Sequence, residues 1–129
     1  MKLVYVAGPF RAPTPWGVEQ NVRRAEEWGL RVAKVPALVP VIPHSMFRYY
    51  DGQGHDDYWL AATLAIMERC DALLLVPGWE SSAGSRAERE RAIEAGLIVF
   101  DAEHEYEALS RYAAWTEPEE FIRQERQEK

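Results

Sequence analysis

The feature that most constrains this fold is an alternation of two kinds of segment. Four short apolar runs, at residues 3–7, 37–42, 71–76 and 97–100, are bounded by turn formers such as Gly8-Pro9 and Pro77-Gly78. Between and after them lie segments with helical character, at residues 18–34, 56–69, 85–95 and 103–112. In the first, Val18, Val22, Ala25, Trp28 and Val32 recur at helical spacing. Strand-helix alternation of this kind predicts an α/β domain, a parallel sheet covered by helices on both faces. No repeat, linker or low-complexity segment interrupts it, so residues 1–129 read as a single domain.

Local signals refine this reading. The run at residues 3–7 is expected as a central strand. Pro40 lacks an N–H and places the second run at an edge or strand end. Residues 10–16 carry Pro13 and Pro15 and are expected as loop. Gly29 interrupts the first helix at a cost of about 1 kcal/mol relative to alanine. Residues 43–55 form a long irregular loop, and long loops in compact domains are usually functional. Gly96 is a suitable helix stop. Residues 117–129 are highly charged and read as a C-terminal helix.

Composition excludes several classes. A net charge of −6 argues against a nucleic-acid binder, which needs a basic face. No apolar run approaches the ~20 residues of a membrane helix, so no membrane association is expected. The chain enters a short strand directly, so no secretory leader is expected. Cys70, the single cysteine, excludes an intramolecular disulfide and suits a reducing cytoplasm. It reads as a small core residue.

The chemistry concentrates in residues 70–92. A small polar loop follows the third strand, at the sheet end where open α/β sheets bind ligands. Ser81, Ser82, Gly84 and Ser85 read either as an ordinary turn or as an anion cradle at a helix N-terminus. Glu88 has two readings as well. It closes an S-x-x-E capping box with Ser85 in the first helical turn. Alternatively it is a nucleophile, kept ionised by the positive helix end. Gly8, Phe10 and Arg11 end the first strand beside this loop, and Arg11 supplies a cation or is simply solvated. His44 lies at the same sheet edge, as a structural or a catalytic histidine. Asp51 and Trp79 are candidate pocket residues, Trp79 by stacking on a base. The remaining tryptophans and tyrosines read mostly as core or pocket walls. The alternating charges at residues 86–91, Glu88 excepted, read as a solvated helix face. No pair of histidine, cysteine or carboxylate has zinc spacing, so neither metal nor cofactor is expected.

Several of these pieces occur together in order. They are Tyr5-Val6-Ala7-Gly8-Pro9-Phe10-Arg11, Asn21 to Glu26, Pro43-His44, Cys70-Asp71-Ala72 and Pro77 to Ser82 with Gly84, Glu88 and Ala92. Over residues 2–100 the chain resembles the nucleoside 2-deoxyribosyltransferase-like superfamily, and most of all its DUF4406-type branch. The resemblance implies a flavodoxin-like or Rossmann-like sheet of four to five strands and N-glycosidic cleavage through a glutamate, here Glu88. Superfamily hydrolases of deoxynucleoside 5′-monophosphates carry a phosphate-binding serine six residues before that glutamate, where Ser82 stands. Arg11 matches an arginine in their first loop, which is richer in glycine. The superfamily usually places a base-contacting Asp where this chain has Thr63. Asp51, Asp56 and Asp57 are the nearby acids.

The expected function is therefore cleavage or transfer at the N-glycosidic bond of nucleosides or deoxynucleosides, or of their 5′-monophosphates. The alternative is a non-catalytic nucleotide-binding module or sensor. A phosphoribohydrolase of the cytokinin type is a third reading, though its second glycine and Gly-Thr pair are replaced by Trp79 and Gly84-Ser85. The expected partner is a small nucleoside or nucleotide. A homo-oligomer is expected from Trp115 and Phe121, with Tyr112, Trp115 or Glu117 reaching a neighbouring site.

Overall fold

The computed structural model describes residues 1–50 and 52–114. Asp51 and the 115–129 segment, with Trp115, Glu117 and Phe121, lie outside the described residues. Strands β1 (Lys2–Ala7), β2 (Leu38–Val41), β3 (Ala72–Leu75) and β4 (Ile98–Asp101) form one sheet in the order β2-β1-β3-β4. Every pairing is parallel, with Val4 opposite Pro40, Tyr5 opposite Leu73 and Leu74 opposite Phe100. As its sequence requires, β1 is central, and Pro40 sits on the edge strand. Helices α1 (Pro15–Ala33) and α5 (Ala102–Tyr112) cover one face; α3 (Asp56–Met67) and α4 (Ala83–Glu94) cover the other.

Strand alternation divides the core between these faces. Val4 and Leu74 pack with Val32 of α1 and with Leu109 and Tyr112 of α5. Tyr5, Ala7, Leu73 and Leu75 pack with Met67 of α3 and Ala92 of α4. Cys70 joins the second cluster, where burial pushes its thiol up to about 11. Tyr112 is 1% exposed and packs on Phe100 at 5.6 Å, so it does not reach toward a neighbouring subunit.

Three boundaries differ from the sequence reading, each for a local reason. Helix α1 begins at Pro15 because the fixed φ of proline suits a first helical position, and Thr14 caps it by accepting the Gly17 N–H at 3.0 Å. Helix α4 begins at Ala83, capped by Ser82, whose hydroxyl oxygen accepts the Ser85 N–H at 3.2 Å. Ser85 therefore caps nothing, and no Ser85–Glu88 capping box forms. The 43–55 stretch holds a short helix, α2 (Pro43–Met46), and a 3-10 turn at Arg48–Tyr50. An Arg48–Glu19 ion pair and a Ser45–Glu26 hydrogen bond of 2.8 Å fasten it to α1. Downstream, Gly96 ends α4 at φ +83° as expected.

Among the described residues, no helix is long and apolar enough to cross a membrane. The aromatic residues are less uniformly internal than expected: Trp16, Tyr49, Tyr50 and Tyr58 are exposed.

Gly29 is explained by packing. A Cβ there would lie 2.3 Å from Ile42 Cδ1 and 3.0 Å from its Cγ1, so α1 approaches β2 closely only without a side chain. Gly29→Leu is expected to destabilise the fold by about 1–3 kcal/mol through overpacking, despite the gain in helix propensity. Urea unfolding of the two proteins measures this directly, and a stabilised variant would contradict the packing argument.

Candidate active site

The strand order 2-1-3-4 creates a switch point. The chain leaves β1 toward β2 on one side, while β3 pairs on the other, so the loops after β1 and β3 diverge. A cavity of about 530 Å³ opens there. Gly8, Phe10 and Arg11 line it from the end of β1, and Ser81, Ser82, Gly84 and Ser85 from the loop into α4. His44 and Phe47 close it from the segment after β2. Asp57, Trp59 and Thr63 close it from α3, and Glu88 from α4.

Glu88 is 8% exposed, and its Oε2 accepts a hydrogen bond from the Tyr5 phenol. Tyr5 is wholly buried on the central strand, and the even alternation of β1 aims it at α4. Burial pushes the Glu88 carboxyl up to about 7, and the Tyr5 bond pulls the other way. This corrects the expectation that the helix end keeps Glu88 ionised. Glu88 lies beyond the first turn of α4, past the reach of the helix dipole, and desolvation dominates. Burial and the adjacent carboxylate hold Tyr5 well above the ordinary phenol range, so it stays a donor. Thr63 also lines the cavity near this phenol, its hydroxyl donating to the Leu60 carbonyl at 3.0 Å.

The loop serines differ in role. Ser81 Oγ donates to the Gly78 carbonyl at 2.8 Å, holding the turn. Ser82 caps α4 and keeps its hydroxyl proton to give. Ser85 is 1% exposed, and its Oγ has no partner. A Cβ on Gly84 would meet only Ser82 Oγ at 3.9 Å, so the backbone here lies open to a close approach. At Gly8 a Cβ would lie 3.0 Å from Val76 Cβ, which favours glycine where β1 exits beside β3.

Arg11 is exposed and ion-paired with Asp56 of α3 across the cavity mouth. His44 makes the contacts of a structural histidine. Its Nε2 donates to the carbonyls of Gly8 and Pro9, 3.0 and 3.1 Å away, a structural bond. Burial pushes its pKa down, so the ring is neutral, and Nδ1 is left unpaired. Phe10 packs edge-on against this ring at 5.9 Å.

Trp79 is not a pocket residue. The turn at Gly78, φ +95°, carries it onto the α4 face of the core, where its indole N–H donates to Asp101 Oδ2 at 3.5 Å. Asp51 lies outside the described residues. Sequence reasoning missed Tyr5, Phe47 and Trp59. A hydroxyl inside an otherwise apolar strand was the available signal for Tyr5. Phe47 and Trp59 pack together at 5.3 Å through a loop fold that no spacing announces.

The cavity lining thus combines aromatic rings, Phe10, Phe47 and Trp59, with hydroxyl and carboxyl groups, Ser82, Ser85 and Glu88. Among the described residues, the buried side-chain polar atoms without a partner are His44 Nδ1, Trp59 Nε1 and Ser85 Oγ, and all three residues line it. No group of three metal-ligating side chains gathers among the described residues.

Fold and topology together define a doubly wound α/β protein with a cavity at its switch point. The chain belongs to the DUF7768 family, a domain of unknown function, whose family model matches residues 2–102 and so spans the whole cavity. No curated protein matches the sequence.

The Glu88 environment has a consequence for stability. The carboxyl ionises near 4.5 when unfolded and near 7 when folded. Below pH 4.5 both states are protonated. As pH rises from there to about 7, the unfolded state ionises first and the fold loses about 3 kcal/mol. Glu88→Gln retains an acceptor for Tyr5 and abolishes this titration. The variant is expected to gain on the parent chain across that window and to hold the gain above it, read as urea midpoints against pH. Parallel curves would show that Glu88 is not desolvated.

Proposed function

We propose that this chain cleaves the N-glycosidic bond of deoxynucleosides or their 5′-monophosphates, or transfers the sugar to another base, with Glu88 as nucleophile. One observation carries the reading: a buried carboxylate, bonded by a phenol, in a switch-point cavity that also holds a serine loop. The superfamily resemblance of Ser82, Gly84 and Glu88 supports it.

In the first step the Glu88 oxygen not engaged by Tyr5 attacks C1′. The C1′–N bond breaks, the base leaves with the bonding pair and takes up a proton, and a glycosyl ester forms. Water or a second base then attacks C1′ and releases the carboxylate. Tyr5 steadies the charged form of Glu88 by its hydrogen bond. The aromatic rings of the lining suit a flat base. Ser82, Gly84 and Ser85 at the start of α4 suit a phosphate. Arg11 joins them once the phosphate displaces Asp56 from it. With Thr63 in the place of the superfamily's base-side acid, Asp57 is the carboxyl left to face the base.

Thr63 also favours a second reading, a nucleotide-binding module without turnover. A panel of ribo- and deoxyribonucleosides and their 5′-monophosphates, with and without an acceptor base, separates the two. Chromatography reads free base, and melting shifts read binding. Base release is expected from deoxymonophosphates, falling by more than about 10³-fold in Glu88→Gln. Undiminished release in that variant refutes the mechanism. Melting shifts with no base released by the parent chain establish the binding module.

The pH profile follows from the same carboxyl. Attack needs ionised Glu88, so release is expected to climb as pH rises through about 7 and then level. Tyr5→Phe removes a bond that favours the carboxylate and is expected to move this limb upward. A limb unmoved in the variant would count against the pairing in solution.

Asp56→Asn frees Arg11 from an exposed ion pair. It is expected to tighten binding of 5′-monophosphates by about two- to five-fold, the worth of such a pair, and to leave unphosphorylated nucleosides unchanged. Titration calorimetry on both ligand classes measures the difference.

A further inference from the structure

Three residues of the cavity wall follow one another at every third position into α4. Ser82 caps the helix, Ser85 stands in its first turn, and Glu88 stands one turn further on. Residues three apart are neighbours on a helix surface, about 4.5 Å apart along the axis. The outer two are already engaged. Ser82 Oγ accepts the Ser85 N–H at 3.2 Å, and Glu88 Oε2 accepts a bond from the Tyr5 phenol. Ser85 differs: it is 1% exposed, and its Oγ has no hydrogen-bond partner among the described residues. Ser81, by contrast, gives its hydroxyl proton to the Gly78 carbonyl. A buried hydroxyl left unpaired is costly, and such a group in a folded chain calls for a cause.

We propose that Ser85 is a specificity-determining residue that reads the sugar, its hydroxyl pairing with the 3′-hydroxyl of a deoxynucleotide. The inference rests on the nucleotide reading above and narrows the part the serine loop plays there: Ser82 and Gly84 for the phosphate, Ser85 for the sugar. With the phosphate at Ser82 and C1′ at Glu88, the sugar lies alongside the helical turn between them, where Ser85 stands. A deoxynucleoside 5′-monophosphate carries one free hydroxyl on that sugar. The base occupies C1′, C2′ bears only hydrogen, and the 5′-oxygen is esterified. The 3′-hydroxyl both donates and accepts, as serine does, so the two are mutual partners. Ser85 Oγ is enclosed in the empty chain, but a serine hydroxyl turns about a single bond between staggered positions. With no partner to give up, it turns to the ligand without breaking a bond. A site built around such a pair rejects an analogue that lacks the hydroxyl.

Titration calorimetry tests this in the Glu88→Gln background, where no ligand is consumed. The probes are the four common deoxynucleoside 5′-monophosphates and their 2′,3′-dideoxy counterparts. Each deoxy ligand that binds is expected to do so about three- to ten-fold more tightly than its dideoxy counterpart, the worth of one such bond. Adding Ser85→Ala is expected to abolish that preference by weakening the deoxy ligands alone. The empty Ser85→Ala chain is expected to melt no lower than the parent chain, since no bond is lost. Equal binding of deoxy and dideoxy ligands by Glu88→Gln overturns the proposal and leaves the nucleotide reading standing. So does a preference that survives Ser85→Ala. A Ser85→Ala change that weakens both ligand classes alike assigns the hydroxyl to the phosphate and also overturns it, and a lower melting point of the empty variant makes Ser85 a structural residue instead. Binding of no probe by the parent chain or by Glu88→Gln refutes the nucleotide reading and the proposal together.

Discussion

The Tyr5–Glu88 hydrogen bond is the interaction on which the site depends. It joins the central strand to α4 through a buried acid that the surrounding core does not solvate. A lone carboxyl in that position neutralises itself by taking a proton, as the upward shift to about 7 records. The phenol opposes this with one directed donor, leaving the group balanced between its two forms at neutral pH. Burial also fixes its geometry. Tyr5 is held by the strand ladder between β1 and β3, and Glu88 by the second turn of a helix capped at Ser82. Tyr5 packs in the core with Leu73 and Ala92, while Glu88 borders the cavity.

The fold was legible because period and punctuation agreed. Apolar runs closed by Gly-Pro or Pro-Gly fixed the strands, and Pro40 marked the edge. Positions where packing overrides local preference were opaque. Gly29 looked like a flaw in a helix until Ile42 was seen to occupy its missing side chain's place. Ser85 looked like a cap because the serine that caps lies three residues earlier in the same small-residue loop. Of the site, the polar loop, Arg11, His44 and Glu88 were legible from their place after strands. Trp79 failed because one left-handed glycine turns the chain away from the cavity. Tyr5 failed because a tyrosine in a buried strand counts as apolar until a partner across the helix layer is found.

The unpaired polar atoms in the cavity walls distinguish it from a packing defect. A buried donor or acceptor left without a partner costs about 1–3 kcal/mol. Folded chains seldom carry such groups without cause, yet His44 Nδ1, Trp59 Nε1 and Ser85 Oγ all belong to residues around one space. Nε2 of His44 is committed to the Gly8 and Pro9 carbonyls, so Nδ1 is fixed as an acceptor. Indole nitrogen is fixed as a donor, and the serine hydroxyl serves as either.

Helix α3 links this chemistry to the surface. Its inner side supplies Trp59 and Thr63 to the cavity wall, while Tyr58, Ala61 and Ala65 are exposed. Few bonds inside the described chain hold its N-terminal half. They include the exposed Arg11–Asp56 pair and the ring contacts of Tyr58 and Trp59. Exposed pairs of that kind are worth at most about 1 kcal/mol. Trp59 is therefore held at the cavity wall mainly by its ring packing against Phe47, Tyr50 and Tyr58.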